Sequence, residues 1–327
     1  MTPLLLLGVV TIVFVVSRTA SADPITSLVP ERLLGNVEVV AAARARWGLD
    51  KTAPEQYVVY IKNLVQGDMG TSFRTKQPVS RDLMQRLPAT LELTVTALAI
   101  AALIGIPAGV AAAIKRDTWV DHVVRLFALI GSSLPVFWTG LILLYLFFTQ
   151  FEIAPGPGRI DLRALPPAQV TGLYTVDSLI AGDIGQMIDA LHHLMLPAFV
   201  LGWAVMGIIA RMVRASMLDV LNQDYIRTAR AKGLTSRRVI YTHALRNALI
   251  PTITILGLSL AALLTGAVLT ETIFSWPGLG SYAVEATRTL DLPSVQGVAI
   301  FAGGLFIVAN LIIDITYGIV DPRIRVS

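Results

Sequence analysis

Apolar residues in this chain fall into long, nearly charge-free blocks rather than into the short alternations of a soluble domain. A transmembrane helix needs roughly 20 apolar residues to cross about 30 Å of hydrocarbon. Five stretches reach that length, at about 91–114, 123–148, 194–213, 250–270 and 295–317. Pro107, Pro135 and several glycines lie inside them, which membrane helices tolerate where neighbours satisfy the freed backbone groups. A sixth, shorter block, Leu4–Val16, is followed by Ser17-Arg18-Thr19-Ala20-Ser21-Ala22-Asp23. Its A-x-A pattern imitates a signal-peptide cleavage site, but Met-Thr-Pro supplies no basic n-region. Residues 1–17 are therefore read as an uncleaved first span whose start looks truncated. The pattern predicts an all-α integral membrane protein with six transmembrane helices.

Composition agrees with that reading. The chain is 54% hydrophobic and 15% charged, where a soluble domain carries about a quarter charged residues. The net charge of +4 does not point to nucleic acid, because the densest basic group lies between two apolar spans. That group is Arg211, Arg214, Arg227, Arg230, Lys232, Arg237, Arg238 and Arg246, set against Asp219 and Asp224. Lys115 and Arg116 occupy the short link after the second span, whereas 151–190 holds Arg159 and Arg163 against Glu152, Asp161, Asp177, Asp183 and Asp189. Basic excess belongs in the cytoplasm, so both termini are expected inside. The region 18–90 is then outside, as a small cap with helix-like stretches at Val37–Gly48 and Pro54–Gln66. The sequence has no cysteine, which removes disulfides and Cys-based metal or redox sites.

The segment RTARAKGL, Arg227 to Leu234, stands out as short, basic and glycine-terminated. Asp224 is the expected N-cap of a helix through Lys232, and Gly233 the left-handed residue that ends it. Thr235 or Ser236 then caps a second helix through Val239, Ile240 and Leu245 to about Ala248. Ala229 and Ala231 are expected to keep one side low for the approach of another backbone. An interfacial helix drawn to anionic lipid would also carry this charge, but lipid binding calls for bulky apolar residues on one face.

Other candidates carry less. Asp314, three residues before Tyr317 in the last span, and Glu92, at the outer end of the second, are acids at membrane depth and so site hypotheses by default; pairing with a nearby arginine is the simpler reading of each. Adjacent His192 and His193 beside Asp189 do not share a helix face as i, i+4 metal ligands do. Gly105 and Gly109 satisfy GxxxG in a Gly/Ala-rich span, a weak sign of close helix packing. No catalytic residue and no metal site is expected.

At this point a family resemblance becomes specific. DYIRTARAKGLTSRRVIYTHALRNALIP is similar to the cytoplasmic coupling segment of ABC-importer permeases, in the dipeptide/oligopeptide permease form. The general pattern, Glu-Ala-Ala-x-x-x-Gly, places its glycine at Gly233 and its first three positions at Arg227, Thr228 and Ala229. Two of those three depart from it but resemble the peptide subfamily's Arg-Thr-Ala. LPATLELT (87–94), SSLPVFWTGLIL (132–143), TGAVLTETIFSWPGLG (265–280) and DPRIR (321–325) resemble further family segments in family order. The basic segment that usually precedes the first span is missing.

The resemblance implies the type I ABC-importer permease fold, with an extracytoplasmic cap between helices 1 and 2 and a cytoplasmic coupling helix between helices 4 and 5, in segment 224–248. It implies that Asp224, Tyr225, Arg227, Thr228, Ala229, Arg230, Ala231, Lys232, Gly233 and Leu234 meet an ATPase subunit. It also implies an outer gate or binding-protein contact at Glu271, Phe274, Trp276, Pro277 and Gly278. Interface chemistry alone would also place Trp276 and the Pro277-Gly278 turn there. The implied partners are a second, paralogous permease forming a heterodimer, two cytoplasmic ATPase domains, an extracytoplasmic substrate-binding protein and membrane lipid. ATP and Mg would be bound by the partners, since G-x-x-x-x-G-K-[ST] is absent from this chain and with it a phosphate cradle of that kind. The implied activity is import of di- or oligopeptides across a bacterial cytoplasmic membrane. Nickel, glutathione and oligosaccharide importers use similar permeases. A self-sufficient secondary transporter, the reading from another class, predicts charged relays within several spans and an internal repeat, and neither is evident here.

Overall fold

The computed structural model describes residues 2–19, 25, 29 and 31–320, with side chains at 4–16, 25, 29 and 32–313. The A-x-A positions Ala20 and Ala22, the side chain of Asp314 and the 321–325 segment lie outside the described residues. Among the described residues the secondary structure is helical, apart from one isolated bridge between Thr71 and Pro78. The chain divides into two compact units, Met1–Thr90 with Pro277–Val308, and Leu91–Trp276 with Ala309–Ser327.

In the first unit, α1 (Thr2–Thr19) buries Val10 and Phe14 in a cluster with Trp47, Tyr60 and Ile300. Two short helices supply those aromatics. Helix α2 (Val37–Trp47) starts at Asn36, whose side chain accepts from the Glu38 and Val39 amides, and stops at Gly48 with φ +63°. Helix α3 (Ala53–Val65) starts at Thr52, whose amide and hydroxyl both donate to Glu55 Oε2. These two helices fall on the stretches expected to be helical, Val37–Gly48 and Pro54–Gln66. The first helical residues of α4 (Val79–Ile114) also lie in this unit, so the second long helix begins well before the expected residue 91. Val79 and Leu83 bury against Leu279 and Tyr282 of α14 (Leu279–Arg288). Helix α15 (Leu292–Val320) follows.

The second unit is built on α8 (Ile184–Leu221), 38 residues long. At 1.5 Å per residue it is about 57 Å long, well beyond the roughly 30 Å of a hydrocarbon core. Close backbone approach sets its neighbours. A Cβ on Gly105 of α4 would sit 2.9 Å from the Met206 carbonyl oxygen, and one on Gly109 2.6 Å from that of Ala210. The GxxxG pair is thus where α4 presses on α8. Helix α5 (Trp119–Ser133) packs along α8 in the same manner, with Gly207 against the Ala128 carbonyl. Two charge-assisted hydrogen bonds of 2.7 Å from Arg214 to Asp121 close one end of that pair.

Among the described residues three helices are long and apolar enough to cross a membrane: α4, α8, and α15 over Leu292–Ile313. Two further candidates are bent pairs. The expected continuous span 123–148 is instead α5 followed by α6 (Val136–Leu144) and a π-helical Tyr145–Gln150, with a 107° bend between the two arms. Pro135 is the cause. A proline forces the residue before it out of the α region, and Leu134 has ψ 137° while Pro135 itself has ψ 132°. The expected span 250–270 is α12 (Ile250–Gly266) and α13 (Val268–Ile273), joined at Ala267. A 50° bend connects α12 to the preceding helical stretch, which comprises α10 (Ser236–Arg238), a π-helical Val239–Ala244 and α11 (Leu245–Ala248).

Candidate coupling segment and outer polar cluster

Helix α9 (Asp224–Ala231) carries the basic segment. Its N-cap is Gln223, with extended backbone, and Asp224 is the first helical residue rather than the cap expected of it. There the Asp224 carboxylate complements the positive helix end and meets Arg227 Nη1 at 3.3 Å. The other end is a complete Schellman turn. Gly233 N donates to the Arg230 carbonyl at 2.9 Å, Leu234 N to the Ala229 carbonyl at 3.3 Å, and Gly233 has φ +77°. This six-to-one and five-to-two pattern satisfies carbonyls that the helix end would leave without partners.

Burial sorts the ten predicted positions into two faces. Of the ten, Ala229 alone points inward, together with Ile226, which was not among them, toward the Val239–Ala244 stretch against which α9 packs. Asp224, Tyr225, Arg227, Thr228, Arg230, Ala231, Lys232 and Gly233 are exposed, and Leu234 is half-buried. Ala229 and Ala231 therefore do not share a low side. Residues two apart on a helix lie about 200° apart, while Ile226 and Ala229 are neighbours at i, i+3. Ala229 is a packing residue, and the low position on the outer face is Ala231, beside Thr228. Asn247 Nδ2 donates to the Tyr225 hydroxyl at 2.8 Å, tying α9 to the end of α11.

At the other site, Glu92 is buried and ion-paired with Arg159 at 2.5 Å; the side chains are 4% and 7% exposed. The other Glu92 oxygen accepts from the Thr175 amide (2.9 Å) and hydroxyl (2.7 Å). Arg159 also donates to the Gly172 carbonyl and lies 3.6 Å over the Tyr174 ring and 5.5 Å from the Trp276 ring. Next to it, α7 (Tyr174–Ile180) carries Asp177, which accepts from the amides of Thr171 and Gly172 and from the Thr171 hydroxyl. Burial alone would raise the Asp177 pKa; the Thr171 hydroxyl and the backbone amides outweigh it and hold the carboxyl below its usual range. Arg159 did not stand out in the sequence. The signal available was Glu92 itself, an acid at a span end that requires a cation from somewhere in the chain.

The predicted gate residues do not form an open surface. Glu271, Phe274 and Trp276 are 0%, 3% and 1% exposed, Gly278 is buried, and Pro277 alone is exposed. A second Schellman turn holds this stretch, with Trp276 N donating to the Glu271 carbonyl at 2.7 Å and Ser275 at φ +49°. Glu271, Phe274 and Trp276 are accordingly interior residues, not a docking surface, in this conformation. His193 Nδ1 lies 2.9 Å from the Asp189 carbonyl and 3.2 Å from its carboxylate, and His192 meets the Ile153 carbonyl. Among the described residues no group of three or more His, Cys, Asp or Glu side chains could hold a metal ion.

In the first unit, Asp82 accepts from Thr75 Oγ1 (2.6 Å) and from the Tyr282 hydroxyl (3.0 Å), which also meets Ser294 Oγ at 2.8 Å. Burial, with Asp82 and Asp291 nearby, pushes the Tyr282 phenol up to about 12. Asp291 accepts from Ser72 Oγ and the Arg74 amide, and Arg74 pairs with Glu285 at 2.8 Å. The loop after α3 is thus pinned to α14 and to the start of α15.

The family described as the binding-protein-dependent transport system inner membrane component matches residues 105–326, and its N-terminal region matches residues 2–94. The chain belongs to this family. It is 44% identical over 321 residues to the probable D,D-dipeptide transport system permease protein DdpB of Escherichia coli (strain K12), covering 98% of this chain and 94% of that protein. It is 45% identical over 319 residues to the di/tripeptide transport system permease protein DppB of Pseudomonas aeruginosa (strain UCBPP-PA14), covering 97% and 94%. The oligopeptide transport system permease protein AppB of Bacillus subtilis (strain 168) is 40% identical over 326 residues, covering 98% and 95%. As an inner-membrane component, the chain is a multi-pass membrane protein whose work is transport.

Proposed function

We propose that this chain is the permease subunit of an ATP-driven ABC importer that moves di- or oligopeptides inward across the bacterial cytoplasmic membrane. The observation that carries the reading is near-full-length similarity to permeases named for dipeptide, di/tripeptide and oligopeptide transport. In this reading α1, α4, α8, α15 and the two bent pairs make six spans with both termini in the cytoplasm. The α2–α3 cap lies outside. Separate ATPase subunits bind ATP and Mg, and a paralogous second permease and a substrate-binding protein complete the assembly.

The exposed face of α9 is the docking element, and its geometry favours that role. The Schellman turn fixes the helix end, Ile226 and Ala229 anchor its inner face, and Thr228 and Ala231 leave a low strip between Arg227, Arg230 and Lys232. ATPase closure would move α9 and shift the spans between inward- and outward-facing states. Nucleotide can drive that shift if the two states differ by only a few kcal/mol. The test is uptake of radiolabelled dialanine into proteoliposomes holding the assembled importer. ATP-dependent accumulation is expected; accumulation without ATP, driven by an ion gradient, would place the chain in another class of transporter.

A further inference from the structure

Helix α5 carries His122, Arg125, Leu126, Leu129 and Ser132, which with Arg211 of α8 line an open groove of about 560 Å³. Residues at i, i+4 and i+7 share a helix face, so Arg125, Leu129 and Ser132 form one column along α5. Arg211 donates through Nη1 to the Ala128 carbonyl (3.0 Å) and to Ser132 Oγ (3.1 Å). The carboxylate best placed to neutralise this face, Asp121, is already held by Arg214. Neither Arg125 nor Arg211 forms an ion pair among the described residues.

Their depth decides what the groove faces. Arg125 is about 9 Å along α5 from Trp119 and Ser132 about 20 Å, at 1.5 Å per residue. Arg125 could reach back to a lipid headgroup. Arg211, fixed to Ser132, could not, and a guanidinium at that depth is unfavourable against hydrocarbon. Such residues face a water-filled path or a partner. The volume falls within the range of small-ligand sites, roughly 300–1,000 Å³. The wall joins two cationic groups, suited to a carboxylate, to two leucines with no side-chain hydrogen-bonding groups of their own.

We propose that this groove is part of the solute path and that Arg125 and Arg211 hold the terminal carboxylate of a passing peptide. This rests on the importer reading above. The leucine wall accepts differing side chains, and the open shape keeps the hold weak enough for release, as conduction requires.

Because the chain has no cysteine, Leu129→Cys gives this subunit a single thiol, whose labelling in the assembled importer is read on this chain after it is separated from its partners. Native and Arg125→Gln/Arg211→Gln backgrounds would each be labelled with anionic and cationic methanethiosulfonates of matched size. In a water-filled basic groove the introduced thiol reacts faster with the anionic reagent, and dialanine in excess slows that reaction. In the Arg-to-Gln background the preference falls roughly tenfold, the effect of removing about one charge-assisted hydrogen bond, and dialanine uptake falls with it. A thiol unreactive to both reagents would show that lipid or the second permease seals the groove, and the proposal would fail. Equal rates for the two charges, or dialanine uptake unchanged in the Gln variants, would also overturn it. If the native assembly shows no ATP-dependent uptake while Leu129→Cys still labels with anionic preference, the importer reading fails instead, and the basic aqueous groove stands.

Discussion

Gly233 holds a φ of +77°, yet nothing lies within 4 Å of where its Cβ would be. The requirement there is conformational, not steric. Gly233→Ala should weaken the α9 turn by about 1 kcal/mol, the usual left-handed penalty, and Gly233→Asn by less. Amide exchange at Leu234 reads this directly, because its hydrogen bond to Ala229 exists only when the turn is closed. The Glu92–Arg159 pair is buried, so removing one partner strands the other. Glu92→Gln should cost about 3–5 kcal/mol, and adding Arg159→Met should recover part of the loss. Thermal unfolding in detergent of both single variants and the double variant reads this; a double loss equal to the sum of the two single losses would mean that the pair is not coupled. Sequence showed Glu92 as an acid in need of a partner but could not name Arg159, which lies 67 positions away. It showed Ala229 and Ala231 as small but not that the burial of Ile226 turns Ala229 inward.

Among the elements, apolar block length was a good guide to where long helices lie and a poor one to where they break. Pro135 was visible, but a proline inside a membrane helix is compatible with a mild kink or a full break. Only the extended backbone at Leu134 and Pro135 shows which occurred. The early start of α4 was hidden because Val79–Leu87 is too polar to count as span and is helical through packing against Leu279 and Tyr282, about 200 residues on. At the α4–α8 contact, Gly109→Val would drive a side chain into the Ala210 carbonyl and should destabilise by about 1–3 kcal/mol, visible as a lowered melting temperature. The turn at Thr171–Gly172 responds to pH. The Asp177 pKa is depressed in the folded chain, so its contribution is whole above the usual carboxylate value of 3.8 and is lost as pH falls through the lower folded value. Acid should therefore lower the protection factors of the Thr171 and Gly172 amides, relative to their intrinsic exchange rates, and Asp177→Asn should abolish that pH dependence of protection.

At the scale of the whole molecule, the chain is a multi-pass inner-membrane component of a transport system, and the motor is proposed to lie in partner subunits. The family and the peptide-permease relatives establish what kind of part this is. The exposed face of α9 is where force is proposed to enter it. Buried residues of α9 cannot test that claim, because a change at Ala229 would disturb packing first. Thr228 and Ala231 can, since both are exposed and adjacent at i, i+3. The decisive measurement is co-purification of the ATPase subunits with the native chain and with Thr228→Glu/Ala231→Glu, in mild detergent. The native chain is expected to retain the ATPase, and the variant to lose it while keeping the second permease and an unchanged melting temperature. An ATPase that stays bound to the folded variant would contradict that claim.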